Sequence, residues 1–186
     1  VLAVAPQARV LRGLADEPGR VRPVAAGGEA LPLADGCLAA AVYANALHHV
    51  PAARQADALN EVARVLAPGG RLIVIEPLPE GPLFEVVRLV DDETAVRRAA
   101  NAALDVAAQR TPPWRPVRDT VFTAPMTQPS FDAFREHLAA VDPARGPRID
   151  ARADALRAAF ARTARPGPDG FVLDQPSRLT VLARVG

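Results

Sequence analysis

Lysine is absent: the 22 basic residues of this 186-residue chain are all arginine. That excludes a Schiff-base lysine and the lysine of a phosphate-binding P-loop. Cysteine occurs once, as Cys37, which excludes an internal disulfide framework and a multi-cysteine metal site. Aromatic residues are 4% of the chain, too few for the stacking platforms that hold single-stranded nucleic acid. A net charge of +1 gives no clustered positive field for nucleic acid or an anionic membrane. No apolar run approaches the roughly 18 residues of a membrane span. Val1–Val10 also lacks the basic n-region of a secretory leader. The expectation is a cytoplasmic protein with no nucleic-acid or membrane partner. What is plentiful is apolar residues, 49%, enough for one domain with a sizeable core.

Along the chain, strand and helix signals alternate. Val1–Ala5 (VLAVA) predicts a short buried strand. A helical pattern opens at Pro6, places Val10, Leu11 and Leu14 on one face, and ends near Pro18-Gly19. Val21–Ala26 predicts a second strand, and Pro23 assigns it to an edge or a strand start. Cys37–Ala46 is a third apolar run. Ala53–Leu66 predicts a helix with Leu59, Val62, Ala63 and Leu66 on one face and Arg54, Asp57, Glu61 and Arg64 largely off it. Pro68-Gly69-Gly70 should end it in a tight turn. Arg71–Glu76 (RLIVIE) then reads as a strand buried on both faces.

Beyond Pro77 the pattern loosens. Asp92–Gln109 predicts a helix with a small-residue face, and Thr111–Pro116 a proline-rich linker carrying Trp114. Ser130–Ala140 predicts a helix capped by Ser130, and Asp150–Ala164 another helix. Phe171–Leu173 and Arg178–Val185, with Asp174–Ser177 between them, predict a closing hairpin. The fold class is therefore α/β: a doubly wound, mostly parallel, Rossmann-like sheet with a C-terminal antiparallel hairpin. One domain over 1–186 is expected, with a core over 1–77, a helical insertion over 78–148 and a closing helix and hairpin over 149–186.

Three phrases occur in one order: GGEALPLADG (27–36), NALHHV (45–50) and EVARVLAPGGRLIVIEP (61–77). Together they resemble the class I S-adenosylmethionine-dependent methyltransferases, in particular the ubiquinone/menaquinone C-methyltransferase-like branch. The resemblance covers about Val1–Pro77. It implies a cofactor, S-adenosylmethionine, held at the carboxyl ends of parallel strands, and a small organic molecule as methyl acceptor. It also implies that VLAVA is the family's second strand, so that the first strand and its glycine-rich loop precede Val1 and the sheet is N-terminally incomplete. A truncated start, residues upstream of Val1, or a homodimer exchanging elements would each account for that slot.

The resemblance carries the cofactor contacts to Ala5 and Pro6, to Gly27, Gly28 and Glu29, and to Asn45 and Ala46. Ala5 and Gly27 stand where the family usually places acidic residues, and Glu29 is the nearby carboxylate able to substitute. His49 is the candidate base or polar contact for the acceptor, while His48 reads as a packed fold residue. Adjacent histidines usually diverge and no third ligand is spaced near them, so no metal site is expected. Glu76 would face the same crevice, Asp91–Glu93 reads as helix capping, Cys37 as a small buried hydrophobe, and Trp114 as a pocket wall or a loop anchor. A second functional reading is a catalytically inactive methyltransferase-like domain serving as a binding or assembly module.

Overall fold

The computed structural model describes residues 1–6, 11 and 21–186. β1 (Leu2–Ala5) and β2 (Arg22–Ala25) run parallel, with Leu2 opposite Arg22 and Ala5 opposite Ala25. The opening pentapeptide thus lies where the sequence puts it, beside the ribbon that ends at Ala26. β2 pairs with nothing but β1 among the described residues, the edge position that Pro23 requires. Of the helix expected after Pro6, Leu11 is helical and buried, while Val10 and Leu14 lie outside the described residues.

A second, five-stranded sheet has the order β3-β4-β7-β5, with β6 added on β7. β3 (Leu38–Ala44) is parallel to β4 (Leu66–Pro77), from Ala40 opposite Arg71 to Ala44 opposite Ile75. β4 is longer than expected because Pro68-Gly69-Gly70 kinks the strand instead of turning out of it. The register slips between Leu38 and Ala40. Gly69 takes φ +79°, and a Cβ at Gly70 would sit 2.8 Å from the Ala67 carbonyl, so the kink needs glycine at both positions. Burial on both faces of β4 is only half realised. Leu72 and Val74 are fully buried, whereas Ile73 and Ile75 keep partial exposure.

Two 3-10 turns, Leu47–His49 and Ala52–Arg54, lead into α1 (Gln55–Val65). Its apolar face packs Ala58, Leu59, Val62 and Ala63 against Leu72 and Val74. α2 (Pro82–Val87) and α3 (Thr94–Gln109) follow. Asp92 caps the start of α3, accepting from the Thr94 N–H at 3.0 Å and the Thr94 hydroxyl at 2.5 Å. Its neighbours pair with arginines instead: Asp91 with Arg145 at 2.7 Å and Glu93 with Arg97 at 2.8 Å.

β5 (Trp114–Gln128) is a fifteen-residue strand that begins within the expected proline-rich stretch Thr111–Pro116 and continues through 117–128, for which the sequence predicted no element. It forms a mostly exposed sheet edge. α4 (Phe131–Val141) begins as expected, with Ser130 Oγ accepting from the Ala133 N–H at 3.1 Å. The expected Asp150–Ala164 helix is two helices, α5 (Gly146–Ala151) and α6 (Ala153–Thr163), broken where Arg152 leaves helical geometry at φ −121°, ψ 18°.

The C-terminal antiparallel hairpin is present, with its turn displaced. β6 (Arg165–Gly167) pairs with β7 (Gly170–Arg184), so the reversal is at Pro168-Asp169. Asp174–Ser177 continues the strand. Gln175 and Ser177 are buried there, and the Gln175 amide donates to the carbonyls of Leu78 at 3.0 Å and Glu80 at 3.3 Å. Those bonds give a polar segment that looks like a turn a reason to stay extended.

The chain forms two compact units. One comprises Val1–Ile75, Ala99–Asp119 and Thr180–Gly186, and the other Glu76–Arg98 and Thr120–Leu179. The first is cored by Leu47, Leu59, Leu72, Leu104, Trp114 and Leu182. The second is cored by Val86, Phe134, Ile149, Leu156, Phe160 and Leu173. No helix among the described residues is long and apolar enough to cross a membrane. Cys37 is exposed rather than buried, because it lies at the open start of β3 just after Gly36, whose φ is +62°.

Candidate functional site

The residues singled out as cofactor contacts all lie in the first unit, just past the carboxyl ends of parallel strands, where open α/β sheets bind ligands. Ala5 ends β1, and its carbonyl accepts the Ala26 N–H at 3.3 Å, so Ala5 lies beside the residue that leads into the Gly27–Glu29 turn. That turn closes with the Ala30 N–H on the Gly27 carbonyl at 3.3 Å. Glu29 folds back over Gly27. A Cβ placed on Gly27 would lie 2.5 Å from one Glu29 carboxylate oxygen and 3.0 Å from the other. The space of a side chain at 27 is therefore filled by the carboxylate of residue 29.

Gly28 is fixed by a close approach as well, since a Cβ there would meet the Tyr43 hydroxyl at 2.6 Å. Tyr43 comes from β3, so its phenol links the β2 turn to the strand that carries Asn45 and Ala46. Burial first, then the carboxylates of Glu29 and Glu61, push its pKa up to about 12. The hydroxyl is thus held as an O–H donor throughout the neutral range.

The loop from 27 to 36 is pinned to α1 by Glu61 and Arg64. Glu61 accepts from the Leu31 N–H at 2.8 Å and from Arg64 at 2.7 and 2.8 Å. Arg64 also donates to the carbonyls of Leu33 at 2.8 Å and Leu31 at 3.2 Å, and reaches Asp35 at 2.6 Å. The Arg64 hydrogen bonds, helped by the Leu31 N–H and opposed by burial, lower the Glu61 carboxyl from 4.5 to about 2.

A group titrating lower when folded contributes stability that is complete above its unfolded pKa and is lost as pH falls. For Glu61 the window runs from about 4.5 down to about 2. Glu61→Gln is expected to flatten the acid limb of the stability-against-pH curve in that window, as measured by denaturant unfolding at stepped pH.

At the end of β3, Asn45 takes φ 50° and gives its N–H to the Ile75 carbonyl at 2.8 Å. Ala46 accepts the His49 N–H at 3.2 Å. His48 is buried and His49 exposed. Their rings do not diverge. The tight turn tilts them together, with centroids 4.1 Å apart. Glu76 is fully buried and lies in the other unit.

The structure thus gathers Ala5, Pro6, Gly27, Gly28 and Glu29 at one corner of the first unit, and Asn45, Ala46 and His49 on the turn after β3. Sequence reasoning passed over Tyr43, Gln55, Glu61 and Arg64. The signal for the last two was the i, i+3 Glu–Arg pair on α1, read there only as lying largely off the apolar face.

The family model of a methyltransferase domain matches residues 2–74. No curated protein matches the chain in sequence. Among solved structures, a candidate methyltransferase from Bacillus halodurans matches over 100% of this chain and 83% of its own, with TM-score 0.63 and 16% identity. A SAM-dependent methyltransferase from Methanosarcina mazei matches over 100% and 82%, with TM-score 0.56 and 12% identity. The [4+2]-cyclase SpnF matches over 100% and 66%, with TM-score 0.56 and 18% identity. Identities this low establish a common fold, and the cyclase shows that a fold does not fix a reaction. The chain carries the methyltransferase fold.

Proposed function

We propose that this chain transfers a methyl group from S-adenosylmethionine to a small organic molecule in the cytoplasm, in the manner of the ubiquinone/menaquinone C-methyltransferase-like branch. The observation that carries the proposal is the Glu29 carboxylate, which occupies the side-chain space of Gly27 at the carboxyl end of β2. It supplies the acidic hydrogen-bond acceptor that the residue types at 5 and 27 do not, so the donor set fits a nucleoside.

In this reading Glu29 accepts from the nucleoside's N–H or O–H groups, and the turns at Gly27-Gly28 and Asn45-Ala46 offer backbone groups. Bound cofactor supplies an electrophilic methyl on a sulfonium. His49, exposed on the turn after β3, is the imidazole able to take a proton from the acceptor. The segment 78–148 forms the substrate cover. Much of the acceleration in such a site comes from holding the two reactants in line.

Calorimetric titration with S-adenosylhomocysteine tests the proposal. Glu29→Ala removes hydrogen bonds to a charged group, worth about 1.5–3 kcal/mol. The dissociation constant should therefore rise about tenfold or more. Absence of binding by the unsubstituted chain at millimolar ligand would overturn the enzymatic reading in favour of an inactive binding module.

A further inference from the structure

Gln55 opens α1 yet is 1% exposed, and Arg54 before it provides no side-chain cap. Burying a carboxamide is unfavourable unless its atoms find partners. The Gln55 amide nitrogen donates to the Leu47 carbonyl at 3.4 Å and to the Val50 carbonyl at 3.2 Å. Leu47 and Val50 are the two ends of the 3-10 turn, closed by the Val50 N–H on the Leu47 carbonyl at 3.0 Å. His48 and His49 are the residues between them. One side chain therefore grips both ends of the histidine turn.

The other carboxamide atom, Oε1, is buried with no hydrogen-bond partner among the described residues. Turning the amide over would set that oxygen against two carbonyl oxygens, so its orientation is fixed by the grip. A buried acceptor left unsatisfied weakens the fold and calls for an explanation. Glutamine in this place leaves one buried acceptor unmatched and holds one conformation of the turn.

We infer that Gln55 is the positioning residue of the strand-end turn, holding Leu47–Val50 in the single arrangement that presents Asn45, Ala46 and His49 to the bound nucleoside and its methyl acceptor. The inference rests on the methyltransferase reading for its ligand, and on the two hydrogen bonds alone for the grip.

The test uses the full chain with two substitutions of similar size. Gln55→Met removes both donors and keeps the volume, and Gln55→Glu replaces donors with acceptors. The chain has 3 histidines, so their ring resonances can be resolved singly. Both variants are expected to shift the resonances of His48 and His49 while leaving His137 unmoved. Both should raise the S-adenosylhomocysteine dissociation constant about tenfold, the effect of losing roughly one buried hydrogen bond. A packing role, which methionine's similar volume preserves, would instead leave the histidine resonances and the affinity of Gln55→Met unchanged.

Unmoved His48 and His49 resonances, or unchanged affinity in a chain that binds the ligand, would overturn the inference. If the unsubstituted chain does not bind the ligand, the functional reading fails, and the histidine resonances still decide the grip. Should Gln55→Met not fold, Gln55→Glu is read against the same two outcomes.

Discussion

Replacing Trp114 with alanine is expected to lower stability by about 3–5 kcal/mol, the range for deleting a fully buried large aromatic. The side chain is 1% exposed and sits in the core of the first unit with Leu59, Leu104 and Ala107. Its backbone is tied at both ends, the N–H to the Arg110 carbonyl at 3.2 Å and the carbonyl to the Thr111 hydroxyl at 2.9 Å. A rigid backbone cannot collapse into the space left behind, which puts the loss at the upper part of the range. Denaturant unfolding followed by circular dichroism measures it, because the substitution removes the single tryptophan. A loss below about 1 kcal/mol, the ordinary size for a point substitution, would show that Trp114 is not the keystone of this core.

Arg64→Ala should act on both the fold and the site. It removes the guanidinium that bonds Glu61, the carbonyls of Leu31 and Leu33, and Asp35. Because Arg64 and Asp35 are open to solvent, which screens their pairing, the loss of stability comes chiefly from the loop carbonyls and Glu61 left without their donor. The 27–36 loop loses its anchor on α1, so ligand affinity should fall with stability. Arg64→Lys keeps the charge but not the planar fork that serves several acceptors at once, and about half the loss should remain. Hydrogen exchange at the Leu31 amide, bonded to Glu61 at 2.8 Å, reports the loop directly. An amide that stays protected in Arg64→Ala would count against the pinning.

The first three strands were legible because apolar runs interrupted by proline and glycine are a local signal. Val1–Ala5, Val21–Ala26 and Cys37–Ala46 became β1, β2 and β3 within a residue or two. Helix α4 was legible for a similar reason, since Ser130 followed by Phe131, Phe134 and Leu138 is a cap and an apolar stripe at helical spacing. β5 was not legible. Its pattern from Trp114 to Gln128 is almost wholly exposed and carries Pro116 and Pro125, so neither alternation nor hydrophobicity marks it, and it becomes a strand only because β7 offers it an edge. Asp174–Ser177 misled in the opposite direction. Its polar residues look like a turn until the Leu78 and Glu80 carbonyls provide long-range partners.

Around the candidate site, the arrangement of the side chains was not legible in the sequence. Glu29 could be named as a substitute for the missing acidic residue at 27. Its fold back over Gly27 depends on a glycine having no side chain to resist it. Tyr43, Gln55, Glu61 and Arg64 were hidden because each works through a partner 5 to 33 positions away, and no periodicity encodes such a partner. Arg64 shows the limit most clearly: placement off the apolar face is correct for its helix, and says nothing about the loop that comes down on it.

Neither compact unit is a continuous stretch of chain. The boundaries fall at 75/76, 98/99, 119/120 and 179/180, and those positions lie inside β4, α3, β5 and β7. Gene fusion or recombination at a single splice point therefore cannot exchange one unit while sparing the other. Diversification of such a protein must proceed by substitution in place, or by insertions between elements, and grafting either unit onto a relative would need matched joints in three strands and a helix at once.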